Sequence, residues 1–262
     1  MKSLWKNELK RMLCEKDFRI TMVLGCGVAV WHFVQYVYCA EMFALEVPEN
    51  AYVCWMGASA YRMQSYWYYM IFPLLAVLPY VGSWYEDYHS GYVKSVLLRC
   101  DRRSYFTVKG VVMFLSGGLG VTVPLLLNFL LTATRRPLLY PDPFIAIGPQ
   151  SYCIGSELYY TRPMLYTLLY LMFDFVAGGL IAIGAMLLCT RVNYKFVALI
   201  LPYGIFYLLN CLGTVLGTNI FAPNFFLIPG MGIENVSSLV MVTLFGVLIL
   251  LTYVRRGNVY EG

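Results

Sequence analysis

The stretch LMFDFVAGG places an acid, Asp174, well inside a long apolar run. A carboxyl group in such a run is costly and marks a functional hypothesis by default. The bland reading is a protonated acid, or one bonded to Asn128, Asn210 or a backbone group across a helical bundle. His32 and Gln35, in WHFVQY, form a second polar cluster, and YWYY at 66–69 an aromatic one. Trp and Tyr favour the membrane–water boundary, so interfacial anchoring is expected of both, with substrate contact as the alternative for His32. The intramembrane polar candidates are therefore Asp174, Asn128, Asn210 and His32.

Other chemistry is missing from the chain. No G-x-x-x-x-G-K-[ST] motif offers the usual phosphate cradle for ATP, and no H-E-x-x-H offers a zinc site. Two histidines are too few and too isolated for a histidine-rich metal centre. The eight cysteines contain no CxxC pair. An aspartyl protease needs two carboxylates inside spans, and only Asp174 qualifies. No Ser/His pair is selected as nucleophile and base. No catalytic residue, metal or cofactor of this chain is expected.

The elements that position these residues follow from composition. Of 262 residues, 60% are hydrophobic and 13% charged, against about a quarter charged in soluble domains. Apolar runs near the length that crosses a hydrocarbon core of about 30 Å predict a single all-α membrane domain. Six spans are expected at 19–39, 67–85, 105–133, 164–190, 196–217 and 236–254. The third is long and is expected to tilt or break near Ser116-Gly117-Gly118. Pro and Gly within spans are tolerated, because neighbouring helices satisfy the backbone groups they free. The first stretch, MKSLWKNELKRMLCEKDFR, lacks the apolar core of a secretory signal.

Basic residues set the expected orientation. With both termini inside, fifteen Lys and Arg fall on the cytoplasmic side and four, Arg62, Arg135, Arg136 and Arg162, on the outer side. That asymmetry follows the positive-inside rule and accounts for the net charge of +5 without nucleic acid. A multi-pass protein of a plasma membrane, in contact with its lipids, is expected. Cys54 and Cys153 then fall in outward segments, where a disulfide between them is one reading and coincidence the other. At the N-terminus, Trp5, Leu9, Met12 and Leu13 share one face beside Lys6, Lys10 and Arg11. The spacing predicts an amphipathic helix over 3–17, either in the headgroup region or as an extension of the first span.

Residues 85–109, YEDYHSGYVKSVLLRCDRRSYFTVK, form a charged island between spans two and three. Val93, Val96, Leu97 and Cys100 make one apolar stripe on an expected cytoplasmic helix of eleven residues, about 16 Å long. Lys94, Arg99, Arg102 and Arg103 surround it, and Glu86 and Asp87 are expected to pair with this basic cluster or to cap the helix. Such a helix fits a groove on a soluble partner. The competing reading is a solvated loop whose stripe rests on the membrane surface.

Glu86, Ser90-Gly91, Leu97-Leu98, Arg102-Arg103, Tyr105 and Lys109 resemble the loop after the second span of ABC-2-type transporter permeases. Tyr92 departs from the small hydroxyl residue common after the glycine, and Asp101 from a proline common before the basic turn. The architecture is similar along the whole chain, the sequence over about 24 residues. The resemblance implies a transmembrane subunit of a bacterial exporter that works with separate ABC ATPase subunits, which bind the ATP and Mg. It also implies a second permease subunit, identical or sister. Segment 86–104 would be the coupling element, carried by Glu86, Ser90, Gly91, Val93, Val96, Leu97, Arg102, Arg103 and Lys109. Spans one, two and five would line the path, and the outer segment 218–235 would be re-entrant. Small permeases of this kind resemble exporters of antimicrobial peptides. The alternative class is a non-transporting sensor or scaffold that docks a partner through the same loop.

Overall fold

The computed structural model describes residues 2–39, 50–58, 62–142, 148–149, 151–217, 222–231, 233 and 236–259. Among these the fold is helical, with one isolated bridge between Ile154 and Ile233. In chain order the helices are α1 Lys2–Cys14, α2 Lys16–Phe33, α3 Ala51–Cys54, α4 Met63–Val77, α5 Val81–His89 and α6 Tyr92–Leu97. They continue with α7 Arg102–Arg135, α8 Ser156–Thr161, α9 Pro163–Cys189, α10 Lys195–Leu216, α11 Pro223–Leu227 and α12 Val236–Val259. A π-helical turn over Val34–Tyr38 prolongs α2.

Four of these are long and apolar enough to cross a membrane: Lys16–Tyr38 (α2 with its π turn), α7, α9 and α10. The expected second span is divided instead. Residues 78–80 leave the helix between α4 and α5, and Tyr80 takes a non-helical conformation. Pro79 lies in that gap, where its ring and missing N–H oppose helix continuation. The expected sixth span lies within α12. Of the segment 218–235 expected outside, residues 218–221, 232, 234 and 235 lie outside the described residues, and the described part carries α11.

α7 and α9 pack along each other as the central pair, with α2 against α7 and α4 across α9. No break occurs in α7 at Ser116-Gly117-Gly118, contrary to the sequence expectation. The glycines serve packing: a Cβ on Gly117 would lie 2.6 Å from both Ala182 Cβ and the Gly178 carbonyl. Small residues on both helices let the backbones touch, which replaces the hydrophobic drive that lipid cannot supply. At 34 residues α7 is about 51 Å long by its rise per residue, longer than the hydrocarbon core of about 30 Å.

Two cores result. One, rich in aromatic rings, joins α3, α4, α9 and α11 to the middle of α7. The other gathers α1, α5 and α6 around the start of α7 and the end of α9. We call these the aromatic and the basic ends. α1 is a helix of its own, separated from α2 by extended Glu15, and not an extension of the first span. Its inward face is Trp5, Glu8, Leu9 and Met12; Leu13, expected in the stripe, points out.

Candidate functional site at the basic end

Lys109 enters α7 two turns after its start, and its side chain is wholly buried. Its ammonium donates to Glu8 Oε2 at 2.9 Å, Asp87 Oδ2 at 3.0 Å and the Tyr80 hydroxyl at 3.0 Å. Three donors meet three acceptors, so the group is fully satisfied. The Tyr80 hydroxyl donates in turn to Glu8. Arg11 grips Asp87 bidentately, with both distances 2.8 Å. Two cations and two acids thus form a neutral cluster, capped by the rings of Tyr80 and Trp84 at 4.6 and 5.9 Å from the ammonium.

This arrangement corrects the expected pairing of the acids. Neither Glu86 nor Asp87 forms an ion pair with Arg102 or Arg103. Asp87 faces inward to Lys109 and Arg11, while Glu86 reaches Lys195 at the start of α10, 2.5 Å away. The turn of α5 carries the two acids to opposite neighbours. The Arg102 guanidinium lies instead 5.8 Å over Phe106, and Arg103 is exposed.

Ser90 and Gly91 close α5 and start α6. Gly91 has φ +77°, the left-handed region that glycine enters without a Cβ penalty. α6 has six residues where eleven were expected, about 9 Å of helix. It stops because Leu98–Cys100 turn and Asp101 begins α7. The Asp101 carboxylate accepts from the Ser104 amide and hydroxyl, both at 3.1 Å, and these bonds hold it below its ordinary carboxylate range.

The expected stripe is largely used by the chain itself. Val93 is 6% exposed, and Val96 and Leu97 are half-buried against the basic-end core. What projects is Leu98, 88% exposed, with Tyr92, Lys94, Ser95 and Arg99. Among the sequence candidates, Lys109 is brought to the centre, Ser90 and Gly91 build the turn, and Arg103 stays on the surface. Glu8 and Tyr80 were not singled out, and Arg11 was read only as part of the basic flank of the first helix. A signal existed: an acid on the apolar face of α1, and a lysine in a helix otherwise apolar, each require a buried partner.

The intramembrane candidates do not form one site. Asn128 is saturated. Its Oδ1 accepts from the Met56 amide at 2.7 Å, and its Nδ2 donates to the Ala29 carbonyl at 2.8 Å and faces His32 Nδ1 at 3.2 Å. His32 is therefore a buried strut between α2 and α7, not an interfacial anchor; its neighbour Trp31 points out. Gln35 accepts from Gln64 on α4. Asn210 bonds Phe206 and the Asn224 amide, at 3.1 and 3.2 Å. Asp174 contacts neither asparagine: it is fully buried and both carboxylate oxygens lack a hydrogen-bond partner.

The YWYY cluster splits by face. Tyr66 and Trp67 are exposed, as a belt requires, whereas Tyr68 and Tyr69 are buried in the aromatic core. Cys54 and Cys153 are both buried and no disulfide joins them, which favours coincidence over the bridge; the Cys153 thiol donates to the Met231 carbonyl at 3.4 Å. Among the four arginines expected outside, Arg62 lies 5.3 Å over Tyr36 and Arg135 4.9 Å over Tyr38. No group of potential metal ligands occurs among the described residues.

No protein-family profile, curated protein or solved structure matches this chain.

Proposed function

We propose that the chain is the membrane-embedded permease subunit of an ATP-driven exporter of ABC-2 type. It moves a hydrophobic or amphipathic substrate, with an antimicrobial peptide as one candidate, across a plasma membrane. ATP is hydrolysed by a separate ATPase, and a second permease subunit completes the path. The six crossings of this reading are the four long apolar helices, the divided pair α4–α5, and α12. The positive-inside rule assigns the basic end to the cytoplasm.

The observation that carries the reading is the Lys109 cluster. It fastens α1, α5 and α7 together beneath α6, so that Tyr92 at the start of that helix and Leu98 just past its end project from a braced platform. A soluble partner that seats on α6 moves several bundle elements as one body, as coupling requires. The small exposed apolar area of α6 favours a second reading, a sensor or scaffold with a weakly held partner. Co-purification in mild detergent tests between them. Recovery of an ATPase that depends on Leu98 supports transport; recovery of a partner without ATPase activity supports the scaffold.

A further inference from the structure

α10 and α12 each pack on α9 and, among the described residues, scarcely on one another. Between them they leave a groove of about 600 Å³ along α9, bounded at the aromatic end by Phe226 of α11. Its lining is apolar except at the basic end, where Arg191 and Thr252 stand. The Thr252 hydroxyl is committed to the Ile249 carbonyl. Arg191, in the turn after α9, is exposed and forms no ion pair among the described residues. No acid lines the groove. α12 runs on from Thr252 to Arg255 and Arg256, three and four positions further, a spacing that shares one helix face.

The shape of the groove limits what can fill it. From Ala177 to Arg191 it follows α9 for about 21 Å at the helical rise per residue. Spread over that length, its volume makes a slot roughly 6 Å across, against about 10–12 Å for a helix with its side chains. A helix of a second copy can lie over such a slot but cannot enter it. An extended acyl chain, one methylene wide, can. An empty apolar slot forfeits dispersion contacts along its walls, and in a bilayer the material at hand is lipid.

The charge at the mouth selects the headgroup. A guanidinium binds phosphate oxygens bidentately, and basic residues at a membrane surface favour anionic lipids. A zwitterionic head brings its own cation to the same place and gains less.

We propose that this groove seats an anionic phospholipid from the leaflet at the basic end. One acyl chain lies along α9 between α10 and α12 with its tip towards Phe226, and the phosphate meets Arg191. The lipid then supplies the packing that α10 and α12 do not give each other. This step needs the chain to lie in a bilayer and does not depend on the transport reading.

The test is native mass spectrometry of the delipidated full chain in detergent, titrated with phosphatidylglycerol and with phosphatidylcholine of the same acyl chains. The first phosphatidylglycerol is expected to bind about fivefold tighter, the worth of one basic contact at a membrane surface. Arg191→Gln is expected to remove most of that preference and to leave phosphatidylcholine binding nearly unchanged. Lys16→Gln, which removes an exposed cation outside the groove, is expected to keep it. Ile205→Trp fills the slot from a half-exposed wall position and is expected to weaken both lipids by about tenfold. Equal binding of the two lipids, a preference that Arg191→Gln keeps or Lys16→Gln loses, or wild-type binding by Ile205→Trp overturns the proposal. Arg191 lies in an exposed turn, so its variant decides alone if Ile205→Trp does not fold.

Discussion

Lys109 Nζ lies 2.9 Å from Glu8 Oε2, a buried contact between residues 101 positions apart that fastens the first helix to the third apolar run. Removing one partner of such a pair leaves the other charge buried and uncompensated. Lys109→Met is therefore expected to destabilise the protein by roughly 3–5 kcal/mol. Adding Glu8→Gln should recover part of that loss, because the stranded acid is then neutral. Thermal unfolding of the two single variants and the double in one detergent gives the coupling; strict additivity would show that the two groups act independently.

Val93 and Leu98 separate two roles that the sequence pattern merges. Val93→Asp puts a charge into the basic-end core and is expected to lower the melting temperature and yield. Leu98→Asp alters a side chain that touches solvent, so stability should hold within about 0.5 kcal/mol while partner recovery in a pull-down falls. If Leu98→Asp leaves recovery of the partner intact, α6 is not the docking element.

Glycines on the apolar helices should differ in sign. At Gly117 a side chain meets Ala182 and the Gly178 backbone, so Gly117→Leu forces α7 from α9 at a cost of about 1–3 kcal/mol or more. Gly204, in α10, has open space around it. Gly204→Ala is expected to stabilise by up to about 1 kcal/mol through helix propensity. Melting temperatures that shift in the same direction for both would contradict the packing described.

The cysteines offer a chemical check. Alkylation under denaturing, non-reducing conditions is expected to label all eight thiols, Cys54 and Cys153 included. A mass consistent with six labels and a loss of two hydrogens would restore the outward bridge.

The helical, membrane-type character was legible from composition, because it depends on long apolar runs that any placement must bury in lipid or protein. Positions along those runs were less so. Pro73 and Pro79 are six residues apart in one apolar stretch, yet α4 continues through the first and stops before the second. Neighbour packing decides that outcome, and periodicity does not record it. Lys109 was picked out through the resemblance of its loop, although a lysine entering an apolar run also signals a buried partner. Its partners come from α1 and from the gap before α5, positions that the fold alone brings together. The stripe at Val93 was correctly seen as apolar; its destination was misjudged, because an apolar face does not state whether its cover comes from the same chain. Asp174 shows the converse. The sequence marked it as costly, and it is the one intramembrane candidate with no hydrogen-bonding partner among the described residues.

The gap at 78–80 has a mechanical consequence. A continuous rod would pass a thrust applied at α6 straight along to the tyrosines of α4. With the rod cut, α5 packs with α1 and the foot of α7, and the unbroken helices reaching from that block to the far core include α7 and α9, which touch along their glycines. A thrust applied at α6 would then reach the far core as a tilt of this paired mast, with α4 carried along through its own bonds to Val121 and Gln35.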